Sequence, residues 1–277
     1  MDVKTHMPKR KRKPFIKKRT KNKIKRKLKQ FWLRHNKKLY AAVLLLLFSV
    51  VPTDLKVELI QMLPTLESDT EQNTMLDEVI GTYTGDPYVI LNDNMPLFTQ
   101  EEYTTEVYEY FSDLDWLGRC GPAMACIGTE LMPTEERGSI GQVKPSGWHT
   151  VRYDIVDGKY LYNRCHLIGY QLTGENANEK NLITGTRYMN MEGMLPFENM
   201  VAAYVKYTGR HVLYRVTPVY DGNNLLASGV TIEGYSVEDD GGGICFYVYV
   251  HNVQPGIIID YATGESALEF NGVVYTE

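Results

Sequence analysis

Long apolar runs, closely spaced cysteines and, beyond residue 38, positive charge are what this 277-residue chain has little of. No apolar run reaches 18 residues, which excludes a polytopic membrane protein. The four cysteines, Cys120, Cys126, Cys165 and Cys245, are too few for a disulfide scaffold, and no C-x-x-C pair suggests a zinc ribbon or a redox site. A Cys120–Cys126 loop, a Cys165–Cys245 pair and reduced buried thiols all stay open from sequence. Hydrophobic residues make up 43% of the chain, ample for a core, so disorder throughout is excluded as well.

The net charge of −4 averages two unlike parts. Residues 1–38 hold 18 Lys and Arg against one acid, whereas residues 39–277 hold 12 Lys and Arg against 33 Asp and Glu. After the basic block, Leu39 to Val51 forms an apolar run of 13 that ends at Pro52. A positive segment before an apolar run of this length is the pattern of a secretory signal, and without a clear small-x-small cleavage site an uncleaved signal-anchor is favoured. The basic side then stays in the cytoplasm, and the remainder stands on the outer face of the membrane or is secreted. Residues 9–29 also read as a nucleic-acid arm, but their place just before the apolar run makes topology the simpler account.

Four segments follow: 1–38 basic and cytoplasmic, 39–52 signal or signal-anchor, 53–86 an acidic spacer, and 87–277 the folded domain. Within that domain Tyr88 to Leu91 is β-rich, while Gln100 to Phe111 places acidic and aromatic residues at helix-like intervals. Turn-rich loops span Asp115 to Gly121 and Thr134 to Trp148. Asp157-Gly158 predicts a hairpin between Val151–Asp154 and Lys159–Tyr162. A helix is predicted next, with Pro196 in its first turn, Gly209 as its C-terminal cap and Val201, Tyr204 and Val205 on one face. Three β-rich runs close the series at His211–Tyr220, Leu225–Val237 and Ile244–Val250. This order predicts an α+β fold on a mainly antiparallel sheet.

A hairpin delivering His166, followed by a loop and helix rich in Asn and Glu, can hold one hard cation beside a general base. Neutral imidazole takes a proton from water near pH 7. Mg²⁺ prefers oxygen and keeps several waters, so one Asn carbonyl suffices as a protein ligand when a substrate phosphate supplies others. Arg164, two residues before His166, lies on the same strand face and can meet the same phosphate.

The run NRCHLIGYQLTGENANEKNLITGTRYMN at 163–190, with PFENM at 196–200 and HVLYRVTP at 211–218, resembles the DNA/RNA non-specific endonuclease family. The resemblance covers roughly Tyr88 to Ser266 and is strongest from Trp148 to Pro218. It implies a ββα-metal, or His-Me finger, core that cuts DNA and RNA with Mg²⁺, or with Mn²⁺ in its place, and leaves 5′-phosphates. By position, His166 matches the water-activating base, Asn190 the metal ligand, and Asn181 an asparagine that supports the site. Glu198 resembles a helix glutamate that holds water beside the metal, and Arg164 the motif arginine. The family's Asp and Gly are here Asn163 and Cys165: the first loses a charge, the second adds a side chain.

Taken singly, His166 is an ordinary strand histidine, Asn181 and Asn190 are loop or cap residues, and Glu198 is a first-turn acid; the combination reverses that reading. His149, His211 and His251 carry no supporting pattern. The acidity of residues 39–277 opposes nucleic-acid binding, which relies on Lys and Arg. Arg137, Lys144, Lys180 and Arg187, near the motif in sequence, are the candidate substrate-binding cations, so weak, salt-sensitive binding is expected. A rival reading keeps the fold as a membrane-anchored, non-catalytic module for nucleic acid or protein.

Overall fold

The computed structural model describes residues 80, 82–270 and 273–274. All belong to one unit, Thr74–Glu277. The basic segment 1–38, the signal segment 39–52 and the spacer up to residue 79 lie outside the described residues. No helix among the described residues is long and apolar enough to cross a membrane.

The strands are β1 (Tyr88–Ile90), β2 (Tyr108–Phe111), β3 (Ala123–Ile127), β4 (Tyr162–His166), β5 (Leu182–Thr186), β6 (Val212–Val219), β7 (Gly229–Ser236), β8 (Cys245–His251), β9 (Ile257–Ile259), β10 (Ser266–Phe270) and β11 (Val273–Val274). Two α-helices interrupt them, the short α1 (Tyr170–Thr173) and α2 (Leu195–Thr208). Six strands form one sheet in the order β1-β8-β7-β6-β3-β2, every neighbouring pair antiparallel. Strands β4 and β5 pair separately, and β9, β10 and β11 form a third sheet.

Period-two alternation assigns the residues of the large sheet to two faces. Ala123, Ala125 and Ile127 of β3, Val212, Tyr214 and Val216 of β6, Val230 and Ile232 of β7, and Phe246, Val248 and Val250 of β8 share the main core. Cys126 and Leu213, their alternates, pack on the opposite face under Phe98 and Tyr103. Helix α2 closes the main core with Phe197, Val201, Ala202 and Val205. The β4–β5 pair adds Cys165 and Ile183 to the same core. A ββα unit is thereby laid on the inner face of an antiparallel sheet, the α+β, ββα-metal architecture expected.

Helix α2 has the limits expected of it. Pro196 stands in its first turn, where its missing N–H goes unneeded. Gly209 takes the left-handed conformation at φ 68° and donates its N–H to Val205 O. The β-rich runs at Tyr88, His211, Leu225 and Ile244 became β1, β6, β7 and β8.

Two local expectations are corrected, and one strand, β3, was not anticipated. Gln100 to Phe111 is not helical: Thr99 to Glu102 is a turn, and the segment ends in β2. Its acidic and aromatic residues are anchors instead, with Glu102 Oε1 2.8 Å from Arg215 Nη1 and the Tyr103 ring against Tyr235. Tertiary contacts override the helical spacing. Strand β3 carried no alternation signal because its Ala-rich run is buried on both faces between β2 and β6. The hairpin around Asp157-Gly158 shrinks to one bridge, Arg152 to Tyr160, and the strand bearing His166 pairs with β5 instead, from Tyr162↔Thr186 to His166↔Leu182. That distant partner buries Ile183 with Cys165, which residues 151–154 would not.

Tyr83, within the segment read as spacer, packs its ring edge-on against Tyr188 and His251. All four cysteines are free thiols.

Candidate active site

Strand β4 ends at His166, and the chain then turns through Leu167 to Gly169 into α1. Asn181 fixes that turn. Its side chain is fully buried, accepts from Ile168 N at 2.9 Å and donates to Ile168 O at 3.0 Å. Both amide atoms being committed, Asn181 positions the segment beyond His166 and does not reach a substrate. Asn190 lies in a π-helical turn, Met189–Met194, that leads directly into α2; such turns recur at functional sites. Glu198 stands in the first turn of α2.

His166, Asn190 and Glu198 line one cleft of about 850 Å³ together with Arg137, Asn163 and Arg164. His166 Nε2 lies 2.8 Å from Asn176 O. A carbonyl only accepts, so Nε2 carries the proton and Nδ1 is the basic nitrogen. Arg137 Nη2 stands 3.4 Å from that Nδ1. Burial, reinforced by the Arg137 charge, lowers the His166 pKa to about 4 despite the Asn176 bond, so the ring is neutral at pH 7. Burial also raises Glu198 to about 7, an effect that a Gln171 hydrogen bond and the Arg137 charge partly oppose.

Asn190 lines the cleft; its Nδ2 makes a long contact, 3.6 Å, with Met191 Sδ, and no hydrogen bond to its Oδ1 is made among the described residues. Among the described residues no group of three His, Cys, Asp or Glu could hold a metal ion. One neutral oxygen with a carboxylate in the same cleft fits a hard divalent cation that retains most of its water, and does not fit a four-ligand structural zinc site.

This arrangement coincides with a family match. Residues 99–238 match the DNA/RNA non-specific endonuclease family. The chain belongs to it. Among solved structures, NucA from Streptococcus agalactiae, determined with a bound magnesium ion, is 26% identical, with a TM-score of 0.62 over 72% of this chain and 96% of its own. Sda1 nuclease with a bound zinc ion is 25% identical, with a TM-score of 0.55 over 67% and 97% of the two chains.

The remaining expected residues of this endonuclease divide. Arg164 lines the cleft but is occupied: its Nε donates to Val143 O, its Nη2 to Gly141 O at 2.9 Å, and its guanidinium lies 3.9 Å from the Trp148 ring centre. It holds the loop that carries Arg137. Arg187 also lines the cleft, paired with Asp157 at 2.9 Å. Lys144 and Lys180, expected among the substrate-binding cations, do not line it; Lys144 lies in a separate depression beside Glu179, and Lys180 pairs with Asp113 at 2.6 Å. Both stand within a few residues of groups that line the cleft or bond His166, so proximity in sequence did not suffice to bring them to the site.

Both departures from the family motif are accommodated. Cys165 points into the main core, fully buried, and a Cβ on Gly185 would lie 2.5 Å from its Sγ. The missing side chain across the hairpin makes its room. Asn163 lines the cleft.

Sequence reasoning missed Asn176, whose contribution is a backbone carbonyl and carries no side-chain signal. It also missed Gly169: a Cβ there would overlap the Glu198 carboxylate. A glycine three residues after the histidine was visible, but not what it made room for.

Proposed function

We propose that this nuclease hydrolyses phosphodiester bonds of both DNA and RNA, with Mg²⁺ as its ion and Mn²⁺ as a substitute, and leaves 5′-phosphate ends. The fixed tautomer of His166, with its basic Nδ1 in the cleft beside Arg137, carries this reading. Asn190 Oδ1 would hold the ion, which when bound would stabilise charge developing on the phosphate and on the 3′ oxygen.

His166 Nδ1 accepts the proton of the attacking water as the P–O3′ bond breaks. The Arg137 guanidinium neutralises the phosphate. Glu198, against the backbone of Gly169, orients water in the cleft. Asn181 and Arg164 position the segments carrying His166 and Arg137. Sugar non-specificity agrees with a base that contacts water rather than the 2′-hydroxyl.

The acidic stretch read as a spacer, 53–86, links the domain to the signal segment up to Tyr83, which packs on Tyr188 and His251, and the domain works outside the cytoplasm, anchored through residues 39–52. Supporting this are the basic block and the apolar run. Protease added to intact cells should remove the domain; full protection would overturn this placement.

The deciding assay offers the full chain supercoiled plasmid and RNA, with Mg²⁺, with EDTA, and as His166→Ala. Loss of both substrates, abolished by EDTA and reduced at least about a thousandfold by the substitution, is the expected outcome. A His166→Ala variant as active as the wild type would remove His166 from its role.

A further inference from the structure

We infer that Tyr160 is a base-stacking platform at the mouth of the cleft, and that single-stranded or locally unpaired nucleic acid is the preferred substrate. This rests on the nuclease reading above and adds the form of nucleic acid taken.

Charge is the first reason. The cleft lining carries three arginines against two carboxylates, Asp157 and Glu198. Arg187 is neutralised by Asp157, and Arg164 keeps its charge but has its guanidinium fixed by two backbone carbonyls, so Arg137, with only a long 3.4 Å contact to His166, is the cation placed to meet phosphate. One guanidinium and one divalent cation neutralise few phosphates, whereas a protein that grips duplex through its backbone makes roughly six to ten such contacts. Affinity must then have another source.

Tyr160 provides it. Its ring lines the cleft and is 48% exposed. The Arg152 guanidinium, its partner across the bridge, lies 4.8 Å from the ring centre and backs it. Gly158 and Lys159, both with positive φ, make the tight turn that presents it. The other aromatic rings of the lining are less accessible: Tyr162 is buried, and Trp148, which carries Arg164 on one face as Tyr160 carries Arg152, is half-buried, as is Tyr170. An accessible ring backed by a cation accepts the face of any base, each stacked base strengthening binding roughly 5- to 150-fold. A base reaches such a ring only when it has left the duplex stack.

The test measures kcat and KM for the full chain with Mg²⁺ on a single-stranded oligonucleotide, on its perfect duplex, and on the duplex with an unpaired bulge. Single strand and bulge should be cut at least about tenfold more efficiently than duplex. Tyr160→Ala should raise KM for the single strand about tenfold, with the loss on KM rather than kcat, and Tyr160→Phe should restore it. Equal kcat/KM for strand and duplex, or an unchanged KM in Tyr160→Ala, overturns the inference while leaving the nuclease reading intact. No cleavage of any substrate by the wild type overturns both.

Discussion

His166 and Glu198 are shifted in opposite senses by one cause, burial of their charged forms. Between about 4 and 6.5 the folded chain binds fewer protons at His166 than the unfolded chain does, so this group's contribution to stability rises with pH across that window. Between 4.5 and about 7 the folded chain binds more protons at Glu198, so that contribution falls as pH rises. Each amounts to about 3 kcal/mol at most, less for Glu198, which is partly exposed. The two oppose each other in metal-free protein. Glu198→Gln in EDTA should therefore gain stability relative to wild type as pH rises from about 5 to 7, and His166→Gln should lose it, read from urea midpoints. Parallel profiles for all three proteins would contradict these shifts. Cys165 and Gly185 form a second pair at this scale. Gly185→Ala should cost about 1–3 kcal/mol by overpacking against Sγ, and Cys165→Gly a similar amount by leaving a void. The double variant should recover at least about 1 kcal/mol of their sum, and strictly additive losses would sink the idea that one makes room for the other.

At the scale of elements, the site is assembled from pieces far apart in the chain. Strand β4 supplies His166, the π-helical turn Asn190, α2 Glu198 and the loop before Trp148 Arg137. Arg164 ties that loop to the hairpin through Gly141 and Val143. Lysine has neither the planar fork nor the stacking face on Trp148. Arg164→Lys should thus lower kcat/KM about tenfold or more while the melting temperature moves by only a few degrees. A variant that keeps full activity would show the loop holds Arg137 without this tie.

For the whole molecule, acidity decides how substrate is held. Past residue 38 the chain has 12 Lys and Arg against 33 Asp and Glu, and several of those cations are paired, including Arg119, Lys159, Arg210 and Arg215. With few phosphates neutralised, the slope of log kcat/KM against log salt should be shallow, about −1 to −2 on single strands. A slope of about −5 or steeper would show a basic groove that this cleft lacks, and a flat profile would remove Arg137 from phosphate binding.

Local chemistry was enough to read helix α2 and the strands β6, β7 and β8, since Pro196, Gly209 and the apolar runs between turn residues each act within a few positions. The motif run 163–190, with PFENM at 196–200, was enough to bring His166, Asn190 and Glu198 forward together. What tertiary structure alone decided lies in long-range pairing. Strand β4 chose β5 over its near neighbour, Gly185 made room for Cys165, and the Asn176 carbonyl selected which nitrogen of His166 is basic. Arg164 and Lys180 were drawn away from phosphate by partners that sequence spacing does not encode, because a cation's role is set by the nearest acceptor in space.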